Sequence, residues 1–372
     1  MAESSSAREP PLHLYLMTIT PSVNELESLQ AEIATLINQL PSLEHGKWIQ
    51  RALAVLVRLS GEEIERLDWK IVSASLQDME RAFKVFYPYR HVRKVTIFGS
   101  ARLSSDSPEY RMALDFARYI TQQGYMVMTG AGGGIMEAGN EGAGAEKSFG
   151  LNIELPFEQG ANPFIQGDPK LIPFKYFFTR KLFFLRESDA IALFPGGFGT
   201  QDEALECLTL CQTGRYGPIP VVLIDHPGGT YWHAWDDYVR THLVERGLVS
   251  PEDPYLYTIT DNLDLACEAI NRFYRIYHSS RYVKNQFVIR LKSELSNAEV
   301  ERLNADFSDI LVKGKIEKTQ ALPEEMGDKT FGLPRLVLYF NQRDFGRLYQ
   351  MIATINQMET LSACDPNHPE CK

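Results

Sequence analysis

The sequence predicts an α/β fold: a Rossmann-like, doubly wound parallel sheet with a helical N-terminal extension and a small α+β C-terminal module. Short apolar runs alternate with helical patterns over residues 91–280, an order typical of a parallel sheet covered on both faces. Two of these runs end in glycine clusters that each open a helix. Helical periodicity precedes this region, and a β-α-β-β-α order follows it.

The predicted boundaries follow these changes of pattern. The chain of 372 residues is long enough for two or three domains. We expect a disordered N-terminus at 1–12, a helical extension at 13–90, the Rossmann-like domain at 91–280, the C-terminal module at 281–362 and a flexible tail at 363–372. Three apolar stripes in the extension predict helices that cover the next domain or a second subunit.

The individual elements are placed by apolar runs, by periodicity and by glycine or proline breaks. In the Rossmann-like domain, strands are expected at 95–98, 125–128, 151–155, 190–194 and 220–224, and helices at 109–123, 135–147, 179–187 and 201–213. In the C-terminal module, strands are expected at 287–291, 315–319 and 335–340, and helices at 296–310 and 345–356. The first set of strands is short and mostly apolar, as expected of strands buried on both faces.

The glycine clusters Thr129–Gly134 and Pro195–Thr200 each join a predicted strand to a helix. At such a turn, backbone N–H groups converge at the helix N-terminus, where the dipole favours an anion. Gly99 and Ser100, after the first strand, belong to the same predicted edge of the sheet. We therefore predict a phosphate-containing ligand. Neither cluster is a P-loop, and the first lacks the spacing and the ribose-binding acid of a redox dinucleotide site.

Four motifs together resemble one family. The stretch PGGFGTQDE at 195–203 fits the pattern PGGxGTxxE, Arg180 and Lys181 form an Arg-Lys step upstream, and GSAR and TGAGGGIMEAGNEGA complete the set. They resemble the Lonely guy family of cytokinin riboside 5′-monophosphate phosphoribohydrolases, many of which carry an older lysine decarboxylase label. The resemblance covers about residues 92–278, roughly half of the chain.

The resemblance implies a hydrolase that cleaves the N-glycosidic bond of a nucleoside 5′-monophosphate. By position, Arg180 and Glu203 match the family's catalytic arginine and glutamate. The residues assigned to phosphate and substrate binding are Gly99, Ser100, Gly132, Gly133, Gly134, Gly196, Gly197, Gly199 and Thr200. The resemblance further implies a homo-oligomer (a dimer or larger) and no metal or organic cofactor. It leaves room for a nucleotide effector, because some larger relatives respond to one.

Other interpretations of these residues stay open. Glu203 is also explained as a first-turn helix residue favoured by the dipole, and Arg180 as a surface ion-pair partner. A non-catalytic sensor or carrier of a phosphorylated ligand is the alternative function. If the enzyme hypothesis holds, pairing with Arg180 is expected to keep Glu203 ionised. Lys181 is the Schiff-base candidate that the decarboxylase label would require, but no pyridoxal-phosphate constellation accompanies it.

Charge and composition exclude some classes of protein. The net charge of −10 argues against a generic nucleic-acid binder. The absence of a long apolar run and of a signal core predicts a cytoplasmic protein that does not span a membrane. Cys207 and Cys211 are expected to be half-buried thiols, and Cys364, His368 and Cys371 lack the fourth ligand of a zinc site.

Overall fold

The computed structural model describes residues 23–40, 43–153 and 160–358. The predicted disordered N-terminus and the cysteine-containing tail lie outside these residues. The described residues before Ser73 form one compact unit, and those from Ser73 onward form another.

The first unit is helical, as the apolar stripes predict. Helices α1 (Val23–Gln39) and α2 (Gly46–Ser60) are followed by the first turns of α3 (Arg66–Phe86). His45, immediately before α2, adopts a left-handed backbone conformation with φ of 63°.

The second unit is built on a seven-stranded parallel sheet in the order β4-β3-β2-β1-β5-β6-β7. Its strands are β1 (Lys94–Phe98), β2 (Met126–Thr129), β3 (Ser148–Ile153), β4 (Leu171–Phe174), β5 (Ala190–Leu193), β6 (Val221–Ile224) and β7 (Tyr257–Thr260). The chain builds outward from β1 in one direction and then returns to add β5 on its other side. Such a reversal creates a crevice at the carboxyl ends of the strands, where ligands bind in open α/β sheets.

Helices cover both faces of this sheet, which confirms the predicted doubly wound fold. They are α4 (Pro108–Gln122), α5 (Ile135–Ala143), α6 (Phe177–Glu187), α7 (Phe198–Gln212), α8 (Tyr231–Tyr238) and α9 (Leu263–Phe273). Because side chains alternate along a strand, Val95 and Ile97 join the core under α4, α5 and α9, whereas Phe98 joins the core under α6, α7 and α8. The central strands are therefore buried on both faces.

The second half of α3 packs with this sheet. The ring of Phe86 stacks on that of Phe149, with a centroid distance of 4.8 Å. The buried carboxylate of Asp78 accepts hydrogen bonds from the backbone N–H of Lys175 (3.0 Å) and from the hydroxyl of Thr179 (2.7 Å). Asp78 thereby ties α3 to the segment that leads into α6 and to the first turn of that helix.

A second, antiparallel sheet follows in the order β10-β11-β9-β8. Its strands are β8 (Tyr277–Val283), β9 (Gln286–Leu291), β10 (Leu311–Thr319) and β11 (Arg335–Phe340), and one face is covered by α10 (Asn297–Asp306) and α11 (Phe345–Ile355). The predicted β-α-β-β-α order lacked β8, and the predicted boundary after residue 280 falls inside this strand. A capping box between Ser296 and Glu299 starts α10, as the sequence pattern indicates.

Two glycines allow close contact between α11, which covers the second sheet, and the loops that follow α7 and precede β7. A Cβ on Gly214 would lie 1.9 Å from the ring of Phe345, and a Cβ on Gly346 would lie 2.3 Å from the carbonyl oxygen of Glu252. Between them, the hydroxyl of Tyr349 donates to the carbonyl of Ile219 and accepts from its N–H, both at 3.1 Å. We call these contacts the α11 joint.

The α11 joint corrects one expectation. Cys207 and Cys211 are fully buried rather than half-buried, because both belong to the core under the parallel sheet, to which α11 contributes Tyr349. Across the described part of the chain, no helix is long and apolar enough to cross a membrane. Within the same residues, His, Cys, Asp and Glu side chains form no group of three that could hold a metal ion.

Candidate functional site

Three loops meet at the carboxyl edge of the parallel sheet, after β1, β2 and β5. The N–H of Ser100 donates to the carbonyl of Pro195 at 3.1 Å, and the carbonyl of Ser100 accepts from the N–H of Ile135 at 3.0 Å. The loop after β1 therefore ties the two glycine turns to each other. Since each turn opens a helix, the starts of α5 and α7 are fixed on opposite sides of one opening.

The opening is a cleft of about 1340 Å³. It is lined by ten of the eleven residues that the sequence assigned to the site: Gly99, Ser100, Gly132, Gly133, Arg180, Gly196, Gly197, Gly199, Thr200 and Glu203. Gly134 does not line the cleft. Its φ of +62° and the 2.3 Å between an added Cβ and the carbonyl oxygen of Ser100 show that it is a packing position beneath the cleft.

The turn before α7 offers backbone N–H groups to an anion. Among the described side chains, none caps α7, whose N-cap is Gly197. A Cβ on Gly196 would lie 2.2 Å from the hydroxyl oxygen of Thr200, so only glycine lets the loop close over that side chain. The hydroxyl of Tyr231 donates to the carbonyl of Gly196 at 2.6 Å and accepts from Gln201. Tyr231 thus fixes the turn from the side away from the cleft, and the N–H groups at the start of α7 stay free of caps from the described side chains.

A buried polar network supports the turn before α5. The side-chain oxygen of Asn140 accepts from the hydroxyl of Thr129 at 2.7 Å and from the amide of Asn162 at 2.9 Å. Asn162 also donates to the carbonyl of Gly132 at 3.0 Å. These residues were missed by the sequence analysis, although an asparagine on the apolar side of a predicted helix is a signal of such a network.

Arg180 and Glu203 face each other across the cleft. A guanidinium nitrogen of Arg180, on α6, lies 3.8 Å from a carboxylate oxygen of Glu203, on α7. The rings of Phe177 and Phe184 lie beside the guanidinium, with centroids at 5.0 and 5.7 Å. Both charged side chains are largely shielded from water, with exposed fractions of 11% and 16%. The alternative of an exposed surface ion pair does not fit this burial.

Burial raises the pKa of Glu203 to about 7, although the charges of Arg180 and Lys181 lower it. The expectation that pairing with Arg180 keeps this carboxyl ionised is therefore met only in part at neutral pH. The guanidinium only partly offsets the desolvation, because the pair is 3.8 Å apart rather than in close hydrogen-bonded contact. A carboxyl with this pKa exchanges protons readily at neutral pH.

Lys181 points to other partners. Its amine lies 2.6 Å from a carboxylate oxygen of Asp202 and 2.9 Å from one of Glu206. Burial alone would lower the pKa of Lys181, but the hydrogen bonds to these two carboxylates raise it. A Schiff-base lysine needs the opposite shift, so this arrangement speaks against a decarboxylase role. Asp202 is engaged here and not at the cleft, as expected one residue along the helix from Glu203.

The cleft also holds residues that the sequence analysis did not single out. Polar members are Arg102, Glu137, Gln166 and Gln201, and apolar members are Phe98, Met136, Ile153, Phe177, Phe184 and Phe198. Phe198, between two glycines of the second turn, is 97% exposed. A cleft lined by both polar and apolar side chains is typical of sites for ligands that combine a charged group with a flat ring.

Comparisons with known proteins give a family and several similar structures. Residues 128–270 match the family model described as "Possible lysine decarboxylase". A search of curated proteins finds no match. The X-ray structure of TM1055, a structural-genomics target, is 24% identical, with a TM-score of 0.36, over 48% of this chain and 99% of that chain.

Two further structures are similar over a comparable share of the chain. A molybdenum cofactor binding protein from Rippkaea orientalis is 17% identical, with a TM-score of 0.34, over 48% of this chain and 93% of its own. The molybdenum cofactor carrier protein of Chlamydomonas reinhardtii is 18% identical, with a TM-score of 0.33, over 49% and 97%. The family match, by contrast, includes the first glycine turn, Arg180 and Glu203. Residues 128–270 therefore match the model of the family whose older label is the lysine decarboxylase description, the family that the sequence motifs resemble.

Proposed function

We propose that this protein hydrolyses the N-glycosidic bond of nucleoside 5′-monophosphates and releases the free base and ribose 5-phosphate. The observation that carries the proposal is the shielded carboxyl of Glu203, 3.8 Å from Arg180 and in the same cleft as two helix N-terminal glycine turns. An anion site and an acid that titrates near neutral pH thus border one opening. A nucleotide brings a phosphate and a sugar to such an opening together.

The second glycine turn is the proposed phosphate site. The N–H groups at the start of α7 and the hydroxyl of Thr200 supply hydrogen-bond donors, and the helix dipole favours the negative charge. Glu203 follows Thr200 within one helical turn, so a phosphate held at the turn places the attached ribose near the carboxyl. Binding energy from the phosphate, which does not react, then fixes the reacting carbon.

Glu203 and Arg180 divide the chemical work in this proposal. Cleavage at C1′ passes through a state with positive charge on the sugar ring. The ionised carboxylate of Glu203 stabilises that charge and takes a proton from the attacking water, whose oxygen bonds to C1′. The base leaves with the electron pair of the broken C1′–N bond and takes up one proton from solvent. Arg180 binds the substrate and orients Glu203, while the adjacent rings of Phe177 and Phe184 hold its guanidinium.

A nucleotide panel tests the proposal. The full chain is incubated with AMP, GMP, CMP, UMP and isopentenyladenosine monophosphate, and free base and ribose 5-phosphate are measured. Glu203→Gln and Arg180→Ala should each reduce release by at least about 100-fold, within the range for the loss of a general acid-base or electrostatic group. Glu206→Gln, one turn further along α7, is the matched control and should keep wild-type turnover. Full turnover in both site variants would refute the assignment.

A second candidate is a non-catalytic carrier or sensor of a phosphorylated ligand. The size of the cleft favours it, because about 1340 Å³ exceeds the usual 300–1,000 Å³ of small-molecule pockets. A pure carrier needs the glycine turns but not the carboxylate. The carrier function would be supported if calorimetry shows that a nucleotide binds without release of its base. The affinity should then be equal in the wild type and in Glu203→Gln.

We also propose that the protein assembles as a homo-oligomer through the helices that border the cleft. Large apolar side chains of α6 and α7 are exposed there, namely Phe177, Phe178, Leu182, Phe198 and Leu205. Contiguous exposed apolar side chains of this size usually mark an interface. A second copy of the chain on this surface would also narrow the cleft.

A further inference from the structure

Tyr231, the first residue of α8, contacts the loop after β5 from outside the cleft. Its hydroxyl donates to the carbonyl of Gly196 at 2.6 Å and accepts from the side-chain amide of Gln201 at 2.6 Å. Because a carbonyl oxygen can only accept, the single hydrogen of the hydroxyl is committed to Gly196. Gly196 and Gln201 line the cleft, whereas Tyr231 does not. The hydroxyl therefore acts on the glycine turn from its far side.

Packing fixes the ring of Tyr231. The fully buried ring of Trp232 meets it edge-on, with centroids 4.9 Å apart. The backbone N–H of Trp232 donates at 3.0 Å to the buried carboxylate of Asp225, which immediately follows β6. The start of α8 is thus bound to the parallel sheet, so Tyr231 supports the glycine turn from a rigid element.

This support acts on the peptide between Gly196 and Gly197. The peptide is trans, and in a trans peptide the C=O and the N–H point in opposite directions. Since Tyr231 holds the carbonyl on the far side, the N–H of Gly197 is directed to the side of the cleft. Gly197 lines the cleft, and its N–H has no acceptor among the described residues. One oriented donor is therefore available to a ligand at the start of α7.

Without the hydroxyl, the orientation of this peptide would be weakly determined. A peptide between two glycines rotates more freely than others, because neither neighbour has a Cβ. Rotation by half a turn would bring the carbonyl oxygen, rather than the N–H, to the cleft, where it would repel a phosphate. The hydrogen bond from Tyr231 to Gly196 opposes that rotation.

We propose that Tyr231 is a positioning residue for the phosphate site: it holds the Gly196–Gly197 peptide in the orientation that offers the N–H of Gly197 to the 5′-phosphate. This role rests on the proposed phosphate site before α7 and not on hydrolysis, because the same N–H would bind the anion in an enzyme or in a carrier. Affinity for the phosphate group is then expected to depend on a hydroxyl outside the cleft.

Calorimetry with ribose 5-phosphate tests this role in the full chain. Tyr231→Phe keeps the ring and removes the hydroxyl, so the affinity should fall by at least about 10-fold, the effect of losing one charge-assisted hydrogen bond. Tyr238→Phe removes the hydroxyl of an exposed tyrosine at the other end of α8. This control should bind ribose 5-phosphate as the wild type does.

A pair of variants at Gly197 isolates the N–H. Gly197→Pro removes this N–H at a φ of −89°, close to the range of proline, and the space around the Cβ position is open. Gly197→Ala keeps the N–H in the same space. The proline variant should bind ribose 5-phosphate at least about 10-fold more weakly than the alanine variant. This comparison keeps the test decisive if Tyr231→Phe fails to fold.

A double-mutant cycle connects the two residues. If Tyr231 acts through the N–H of Gly197, Tyr231→Phe should change the affinity by less than about threefold in the Gly197→Pro background, because the group that it positions is already missing. A hydroxyl with a merely structural role would have the same effect in both backgrounds. Such additivity, an unchanged affinity in Tyr231→Phe, or a wild type that does not bind ribose 5-phosphate would overturn the proposal.

Failure of the hydrolase proposal would give a different result. If the nucleotide panel shows no base release while Tyr231→Phe still weakens the binding of ribose 5-phosphate, the role of Tyr231 is supported and only the enzyme is refuted. If base release is observed, Tyr231→Phe should raise KM for AMP more than it lowers kcat, because the phosphate does not react.

Discussion

Glu203 is subject to two opposing electrostatic effects. The surrounding protein excludes water and favours the neutral acid, whereas Arg180 and Lys181 favour the carboxylate. The result is a pKa of about 7, two to three units above that of an exposed glutamate. A base with this pKa is strong enough to accept a proton from water and is still ionised in a useful fraction of molecules at neutral pH.

The pH dependence of turnover should report this carboxyl. If ionised Glu203 is the active form, kcat/KM rises with pH through about 7 and then levels off. The charge of Asp202 raises the pKa of Glu203, so Asp202→Asn should move the rise to lower pH. Profiles from pH 5 to pH 9 on the best substrate of the panel measure both. A rise that lies near pH 4 in the wild type, or does not move in the variant, would contradict the assignment.

Gly134 is required for its backbone conformation and close packing rather than for contact with a ligand. Its φ is +62°, and an added Cβ would meet the backbone at Ser100 and Ala101. Gly134→Ala should therefore lower the free energy of unfolding by about 3 kcal/mol or more, from conformational strain and the clash together.

Gly144→Ala is the matched control for that substitution. Gly144 has a φ of +72° and a ψ of 158° but open space around its Cβ position, so its cost should be only the strain, about 1–3 kcal/mol. Urea unfolding of both variants separates the clash from the strain. Equal destabilisation by the two would show that the contact between the loops after β1 and β2 is not rigid.

At the scale of elements, helix α7 links the cleft to the α11 joint. Its first turn borders the cleft, and its last turns pack under the α11 joint. Replacement of Tyr349 by Phe leaves the buried N–H and carbonyl of Ile219 without their partner. We expect a loss of about 1–3 kcal/mol in stability, measured by urea unfolding. Tyr339→Phe, on β11 and half-exposed, should cost less than about 0.5 kcal/mol, and an equal effect of both variants would contradict the role of the joint.

The strands that sequence could not predict lack a continuous apolar run. Strands β4 and β7 are the two edges of the parallel sheet, and each has only part of its side chains buried. An edge strand needs no continuous apolar run, and Pro173 is tolerated in β4 because edge positions require fewer ladder hydrogen bonds. Strand β8 carries hydroxyl and basic side chains, so its pattern resembles a loop. The central strands, buried on both faces, were all predicted.

The candidate site was predicted better than its surroundings. The glycine turns depend on local spacing, which sequence shows directly, and Arg180 and Glu203 were assigned through the family resemblance. The network of Asn140 and Asn162 joins residues 22 positions apart, and the pKa of Glu203 depends on burial that only the folded chain creates. Neither can be derived from a motif, because both arise from tertiary contacts.

For the whole molecule, the exposed apolar side chains of α6 and α7 predict self-association. Phe178→Asp places a charge on this surface and should convert the oligomer to monomer at micromolar concentration, because burying an unpaired charge opposes assembly. Light scattering after size-exclusion chromatography measures the mass. Met326→Asp, at a more exposed apolar position in the loop between β10 and β11, is the control and should leave the mass unchanged. If the wild-type protein has the mass of a monomer, the proposed self-association is refuted.

The reciprocal glycines of the α11 joint limit how this architecture can be recombined. Each side of the joint admits the other only because a side chain is missing, at Gly214 on one side and Gly346 on the other. A chimera that grafts this C-terminal module onto a related nucleotide-binding domain would succeed only where the recipient also has glycine at the matching turn. Any other residue there would collide with the incoming phenylalanine ring, so compatible recipients can be identified from one position before any gene is synthesised.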